Sequence, residues 1–372
     1  MAHAFADGVK LISELDLSTI AGAFLNMDAT TLVFTVLIGL LPLFVVLFFS
    51  LYFRMSIPTK ERQFLLDLYE QASGEGWRRN DGWTKLGSAC FFDVSKCYGL
   101  TVRKGHVVKI DLYKNNLVGT IPSSIGNLTK LWALELGGNS LRGRIPRTIG
   151  RCRTLCRVNL PHNQLDGEIP REIRGCRRLE KLILSGNNLV GRIPAELGEM
   201  RSLRSFIAYG NELTGSLPSS VGRLKRLYNF IVNNNQLTGA IPVSIGQCEN
   251  LENFDVGANA ISGTVPPSLC ACGSLVSLYL YDNDITGPLP PDIGRLKSLE
   301  YMDISNNRIS GPIPLSCGSL RKLKYLYAKR NMICGSLPAE LGSLSNLQVF
   351  NMKSNVISGE IPVEVRAHSF TT

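Results

Sequence analysis

The chain has 372 residues, 44% of them hydrophobic and 19% charged, which is enough apolar material for a sizeable core. Its formal net charge of +10 is unevenly held: residues 1–56 carry Lys10 and Arg54 against Asp7, Glu14, Asp16 and Asp28, so the positive excess lies in the remainder. Four histidines, His3, His106, His162 and His368, stand without metal-ligand spacing. No nucleophile elbow, phosphate-binding loop or kinase signature accompanies them, which argues against an enzyme and against a bound cofactor.

Residues 1–31 place Val9, Ile12, Leu15, Ile20, Phe24 and Leu25 at partial helical spacing, consistent with an interfacial helix or with contact against a neighbouring protein. Residues 32–53 then run for twenty-two positions without a charge. That length crosses a hydrocarbon layer of about 30 Å, so the segment reads as one transmembrane helix, with Pro42 as a tolerated kink. A cleaved signal peptide fits less well, because the apolar run is too long, the upstream segment is acidic and no small-x-small site follows. Arg54, Lys60 and Arg62 on one flank against Lys10 on the other place the following domain on the cytosolic, stromal or matrix side. A single sequon, Asn127-Leu128-Thr129, points the same way, with an extracellular or lumenal location as the alternative.

Residues 54–106 begin with Phe64, Leu65, Leu68 and Tyr69 on one face of a short helix expected to end near Gly74. Trp77, Asn80, Asp81, Gly82 and Trp83 follow, then Tyr98 to Thr101, leading into His106. From Val107 the sequence repeats every 24 residues, restarting at Leu131, Leu155, Leu179 and onward to Leu347, so that eleven copies fill residues 107–365 without insertion or deletion. A period in this range means a solenoid, since one coil cannot bury its own apolar positions and must stack on its neighbours. In the sixth copy Leu227, Phe230, Val232, Leu237, Ile241, Ile245 and Cys248 are the inward set. Asn235 and its counterparts, Asn115 to Asn355, form a polar column that satisfies backbone groups in the turn leaving each strand. Gly239 and Pro242 bend the chain after it.

The ten cysteines look like core filling, because Cys152, Cys176, Cys248 and Cys272 stand where other copies have Leu or Met, and Cys317 replaces an Ile or Leu. Cys270 and Cys272 form C-x-C without a second pair, a poor zinc site. Residues 366–372 are a short tail. The last coil offers His368 where an apolar residue belongs, which fits a neighbouring subunit covering Val365 to Phe370 and fits equally a last coil polar enough to stand alone or a truncated sequence.

The copies resemble plant-type leucine-rich repeats, which carry the L-x-G-x-I-P segment seen at Leu117 to Pro122 and Leu189 to Pro194. The stretch from Phe64 to His106 resembles the N-terminal cap of that family, except that Val102 stands near where a second cysteine is common. The resemblance implies an α/β solenoid: a right-handed superhelix with a parallel sheet on its concave face, binding proteins, peptides or small ligands and not catalysing. Receptors of this type place the repeats before the membrane span and a kinase after it, whereas here the span precedes the repeats. Cys90 and Cys97 can pair in an oxidising compartment.

Eleven strands about 4.8 Å apart give an inner face roughly 50 Å long. Its middle column reads Asp111, Glu135, Asn159, Ile183, Ile207, Ile231, Asp255, Tyr279, Asp303, Tyr327 and Asn351, which predicts three adjacent exposed isoleucines. Flanking columns add Tyr209, Tyr281, Tyr301 and Tyr325, bordered by Lys329 and Arg330. Isoleucine and tyrosine on a rigid face suit a protein interface. The plainer alternative is that parallel strands accept β-branched and aromatic residues and let neighbours stack. Arginines from Arg142 to Arg178, mostly on convex or lateral turns, form either a solvated surface or a contact for anionic lipid or an acidic protein. Without interleaved aromatic residues they do not fit nucleic acid. Two functions remain open: an accessory or structural subunit that scaffolds a larger membrane complex, and a surface protein that recognises a peptide, glycan or pathogen protein.

Overall fold

The computed structural model describes residues 57–87, 93–360 and 362–363. The N-terminal segment 1–31, the span 32–53, Cys90 and the stretch from Val365 to Phe370 lie outside the described residues. Among the described residues no helix is long and apolar enough to cross a membrane.

Helix α1 (Thr59–Gln71) starts after Pro58, whose φ of −54° is compatible with a helix entry. Its spacing puts Phe64, Leu65 and Leu68 on one face, and all three are fully buried. The helix stops at Gln71, and Gly74 lies in the following 3-10 turn, where a Cβ would overlap the Tyr69 ring. Tyr69, Trp77 and Trp83 pack as a cluster, with the two indoles edge to face at 4.8 Å. Each indole N–H donates to a backbone carbonyl, Trp77 to Ala72 at 2.8 Å and Trp83 to Tyr98 at 2.9 Å. Glu61 is only 2% exposed although it sits in a polar stretch of α1. Its carboxylate accepts the Val107 N–H at 2.8 Å and faces His106 Nδ1 at 2.7 Å, joining the helix to the first strand of the solenoid.

That strand, His106–Asp111, pairs antiparallel with Leu100–Arg103 and parallel with Ala133–Glu135. Ten three-residue strands then continue the concave sheet in parallel, ending at Val349–Asn351 among the described residues. A second parallel sheet runs from Val118–Gly119 to Val356–Ile357 on another side of the coils. Between the two sheets each of the first ten coils makes a 3-10 turn after its proline, as in Val243–Gln247 after Pro242. The coils are therefore three-sided, and the second sheet is a feature that the L-x-G-x-I-P pattern alone does not announce.

The inward set of the sixth coil is buried throughout, from Leu227 at 0% to Ile241 at 3% exposed. Phe206, Phe230 and Phe254 stack along the interior with centroids 5.6 and 5.9 Å apart. Cys152, Cys176, Cys248 and Cys272 are buried, and each Sγ donates to the Ile or Val carbonyl 27 residues earlier at 3.2–3.4 Å. Burial pushes the first two and Cys272 up to about 12, and Cys248 up to about 11, so these thiols stay protonated. Core filling does not account for every cysteine: Cys156 is half-buried and Cys334 is exposed. Cys156 directly precedes the strand Arg157–Asn159, and Cys334 is itself a solvent-facing residue of the second sheet. Cys97 carries a free, buried thiol, and the expected partner Cys90 is outside the described residues.

The asparagine column stitches coil to coil. Asn187 Oδ1 accepts the Leu165 N–H of the preceding coil at 3.0 Å, while its Nδ2 donates to the carbonyls of Leu160 and Leu184, both at 3.0 Å. The residue before each such asparagine takes a left-handed conformation, as at His162 with φ 52° and Arg330 with φ 54°. His162 thus has a backbone role. Gly239 at φ 72° meets the same demand one step later.

Close approach between coils fixes a different glycine. A Cβ at Gly150 would stand 2.0 Å from the Glu172 carbonyl oxygen of the next coil, so the 3-10 turns touch backbone to backbone. Gly150→Ala is expected to lower stability by about 1–3 kcal/mol through overpacking. Urea denaturation reads this directly, and an unchanged midpoint would show that the turns separate freely.

Candidate interaction surface on the concave sheet

Strand register brings the predicted middle column together. Ile183, Ile207 and Ile231 are direct neighbours, followed by Asp255, Tyr279, Asp303, Tyr327 and Asn351 on successive strands. The isoleucines are half-buried and not exposed as the sequence implied. In a sheet with neighbours on both sides each flank of a side chain is covered by the next coil, leaving only its tip free. The strip is still continuous: aliphatic in coils four to six, then alternating acid and ring.

The flanking residues divide between interface and packing. Tyr301 and Tyr325 stack on one another at 5.0 Å and 13°, and the Tyr325 hydroxyl donates to Gln348 Oε1 at 2.7 Å, as the stacking alternative expects. Tyr281 leans over Gly257, where a Cβ would come within 2.3 Å of its ring. Its hydroxyl meets Asn233 Nδ2 at 3.5 Å, and its ring stands edge to face with Tyr279 at 6.5 Å. Tyr209 is half-buried beside Ile207, and Lys329 and Arg330 are exposed at the rim.

The four carboxylates of the column differ in their surroundings. Asp111 is paired with Lys109 at 2.8 Å, and Glu135 lies 3.8 Å from Arg157, whose guanidinium covers the Trp132 ring at 4.6 Å. Asp255 and Asp303 instead each accept a backbone N–H two residues on, from Gly257 at 3.0 Å and from Ser305 at 2.9 Å. Burial pushes the Asp255 carboxyl up to about 6; the Gly257 hydrogen bond opposes that shift and the charge of Asp303 adds to it. Burial likewise raises Tyr279 and Tyr281, so both keep their hydroxyl protons at neutral pH.

Arg157 and Trp132 belong to this face although sequence reasoning left them out of the site. The arginine was grouped with those on lateral turns; register sets it opposite Ala133, and only the diagonal reach of its side chain to Glu135 reveals the pair. Arg142 and Arg144 lie on the second sheet, and Arg147, Arg151, Arg171 and Arg174 on the 3-10 turns. Arg144, Arg147, Arg171 and Arg192 border a groove of about 1100 Å³ together with Glu168 and Glu172, away from the concave strands. Among the described residues no group of three or more His, Cys, Asp or Glu side chains is placed to hold a metal.

Comparison with known proteins agrees with this architecture. A sequence model of the Leucine Rich Repeat matches residues 106–128, 178–200, 274–296 and 298–320. A structure of the plant peptide hormone receptor RGFR1 in complex with RGF2 is 34% identical over 70% of this chain and 42% of that one, with a TM-score of 0.69. The ectodomain of the Arabidopsis receptor kinase HAESA in complex with an IDA peptide hormone ligand is 30% identical, with a TM-score of 0.69, over 84% of this chain and 53% of that one. The chain thus spans about half the length of these receptor chains. A plant ice-binding protein, 23% identical over 82% of this chain and 97% of its own, shares the fold at a TM-score of 0.66. No curated protein sequence matches the chain. Four segments of the chain thus match the leucine-rich repeat, and its solenoid shares the fold of plant receptor ectodomains.

Proposed function

We propose that this protein is a membrane-anchored binding scaffold that captures a peptide or an extended protein segment across the concave face between Ile183 and Tyr327. The observation that carries this reading is the unbroken run of half-buried isoleucine, tyrosine and aspartate side chains on one rigid sheet. Aromatic rings offer large contact area with few rotors to freeze, and the sheet beneath them is already ordered, so little entropy is lost on binding. The similar receptor structures hold peptide hormones, which supports a peptide as the ligand. They are ectodomains, and this favours an extracytoplasmic solenoid over the inward-facing one inferred from the charges flanking residues 32–53.

The double variant Tyr279→Ala with Tyr327→Ala is expected to weaken capture of the native partner at least tenfold while moving Tm by no more than a few degrees. Affinity capture from membranes, run beside a thermal melt, measures both quantities. Collapse of the fold would make the rings structural, and unchanged capture would move the interface elsewhere. A permanent subunit of a larger complex and a reversible receptor differ in one further measurement. After gentle detergent extraction a native gel gives a large stable mass for the first and the mass of the single chain for the second.

A further inference from the structure

We propose that the column Asp255, Tyr279, Asp303 and Tyr327, with Tyr281 beside it, is a subsite for the positively charged side chains, arginine or lysine, of an extended peptide. The inference rests on the concave-face reading and specifies the chemistry of its ligand. Register places these four residues on consecutive strands, so acid and ring alternate at about 4.8 Å intervals and the two carboxylates lie roughly 10 Å apart. A cation above a tyrosine between two carboxylates meets the negative face of the ring and an anion on either side.

Three observations point to a ligand that supplies positive charge. The chain is strongly basic at +10, and the other acids of this column, Asp111 and Glu135, have basic partners. Asp255 and Asp303 have none within 4 Å among the described residues, and each uses one oxygen for a backbone N–H, leaving the other to a ligand. Ser305, two residues beyond the end of that strand and 2% exposed, gives its N–H to Asp303 and holds an Oγ with no hydrogen-bond partner. A single divalent ion does not fit, because ligand oxygens about 10 Å apart cannot both reach one ion at the usual 2.3–2.6 Å.

The groups that face Asp255 are Tyr279 and Tyr281 from the next strand, Asp303 beyond them, and the uncharged Asn229, Ile231 and Asn233 on the other side. Its carboxyl is ionised above about pH 6 and neutral below it, so affinity for a cation is present at pH 7.5 and declines as pH falls through 6.

Calorimetric titration of the full chain in detergent with hexa-arginine, and with hexa-citrulline as its neutral isostere, tests the subsite. Hexa-arginine should bind at pH 7.5 and weaken by pH 5, while hexa-citrulline should not bind. Asp255→Asn with Asp303→Asn should weaken hexa-arginine at least tenfold without loss of folding, since Asn159 and Asn351 already occupy equivalent places in the column. Asp284→Asn, which removes an acid paired with Arg308 on the second sheet, should leave binding unchanged. Absence of hexa-arginine binding, equal binding of the citrulline peptide, or indifference to the double variant would overturn the assignment. If the native partner is still lost in the Tyr279 and Tyr327 variant, the concave interface survives that failure; if capture is also unaffected, both readings fall.

Discussion

Phe230→Ala is expected to destabilise the solenoid by about 3–5 kcal/mol, the usual cost of deleting a buried phenylalanine. Phe230 is fully buried between Phe206 and Phe254, so truncation removes ring contacts on both sides and leaves a cavity inside the array. Because each coil contacts only its neighbours, the damage should be local in space and should lower cooperativity between the two halves. Calorimetry should show a lower and broader transition, with hydrogen exchange accelerated first in the fifth to seventh coils. Phe230→Leu should recover most of the loss. A shift below 1 kcal/mol for the alanine variant would mean that the coils close over the gap.

Asn187→Leu should cost about 3 kcal/mol for a different reason. The carbonyls that Asn187 serves have second partners, since Asn163 also donates to Leu160 and Asn211 also donates to Leu184. The buried N–H of Leu165 is served by Asn187 Oδ1, and an unpaired buried donor costs about 1–3 kcal/mol before the shape mismatch of the leucine is added. Asn187→Asp keeps an acceptor yet should not rescue stability, because it loses both donors and turns a charge toward carbonyl oxygens. Equilibrium denaturation of the two variants separates these terms. Full stability in the aspartate variant would show that the acceptor alone matters.

The repeat period made most of the solenoid legible, because strict 24-residue spacing transfers any inference about one coil to the others. The inward positions, the asparagine column and the buried thiols followed from it. The second sheet was hidden because strands as short as Val118–Gly119 carry no alternation to read. Glu61 was hidden by its polar neighbours Lys60 and Arg62 and by a partner 46 residues away. At the candidate site the identity of each column could be read in advance, but half-burial of the isoleucines and the pairing of Glu135 with Arg157 depend on side chains leaning between coils. Periodicity says which residues are neighbours. It does not say which of them neutralise one another.

Uniform coil spacing also sets a ruler for any peptide laid across the sheet. A polyproline II chain advances about 3.1 Å per residue and brings every third side chain to one face, and the coils advance about 4.8 Å, so the two scales coincide where three residues meet two coils, near 10 Å. Asp255 and Asp303 are two coils apart, and so are Tyr279 and Tyr327. A peptide crossing here in that form would keep step only if its matching side chains recur at every third position, a vernier that would select sequence phase before it selects composition.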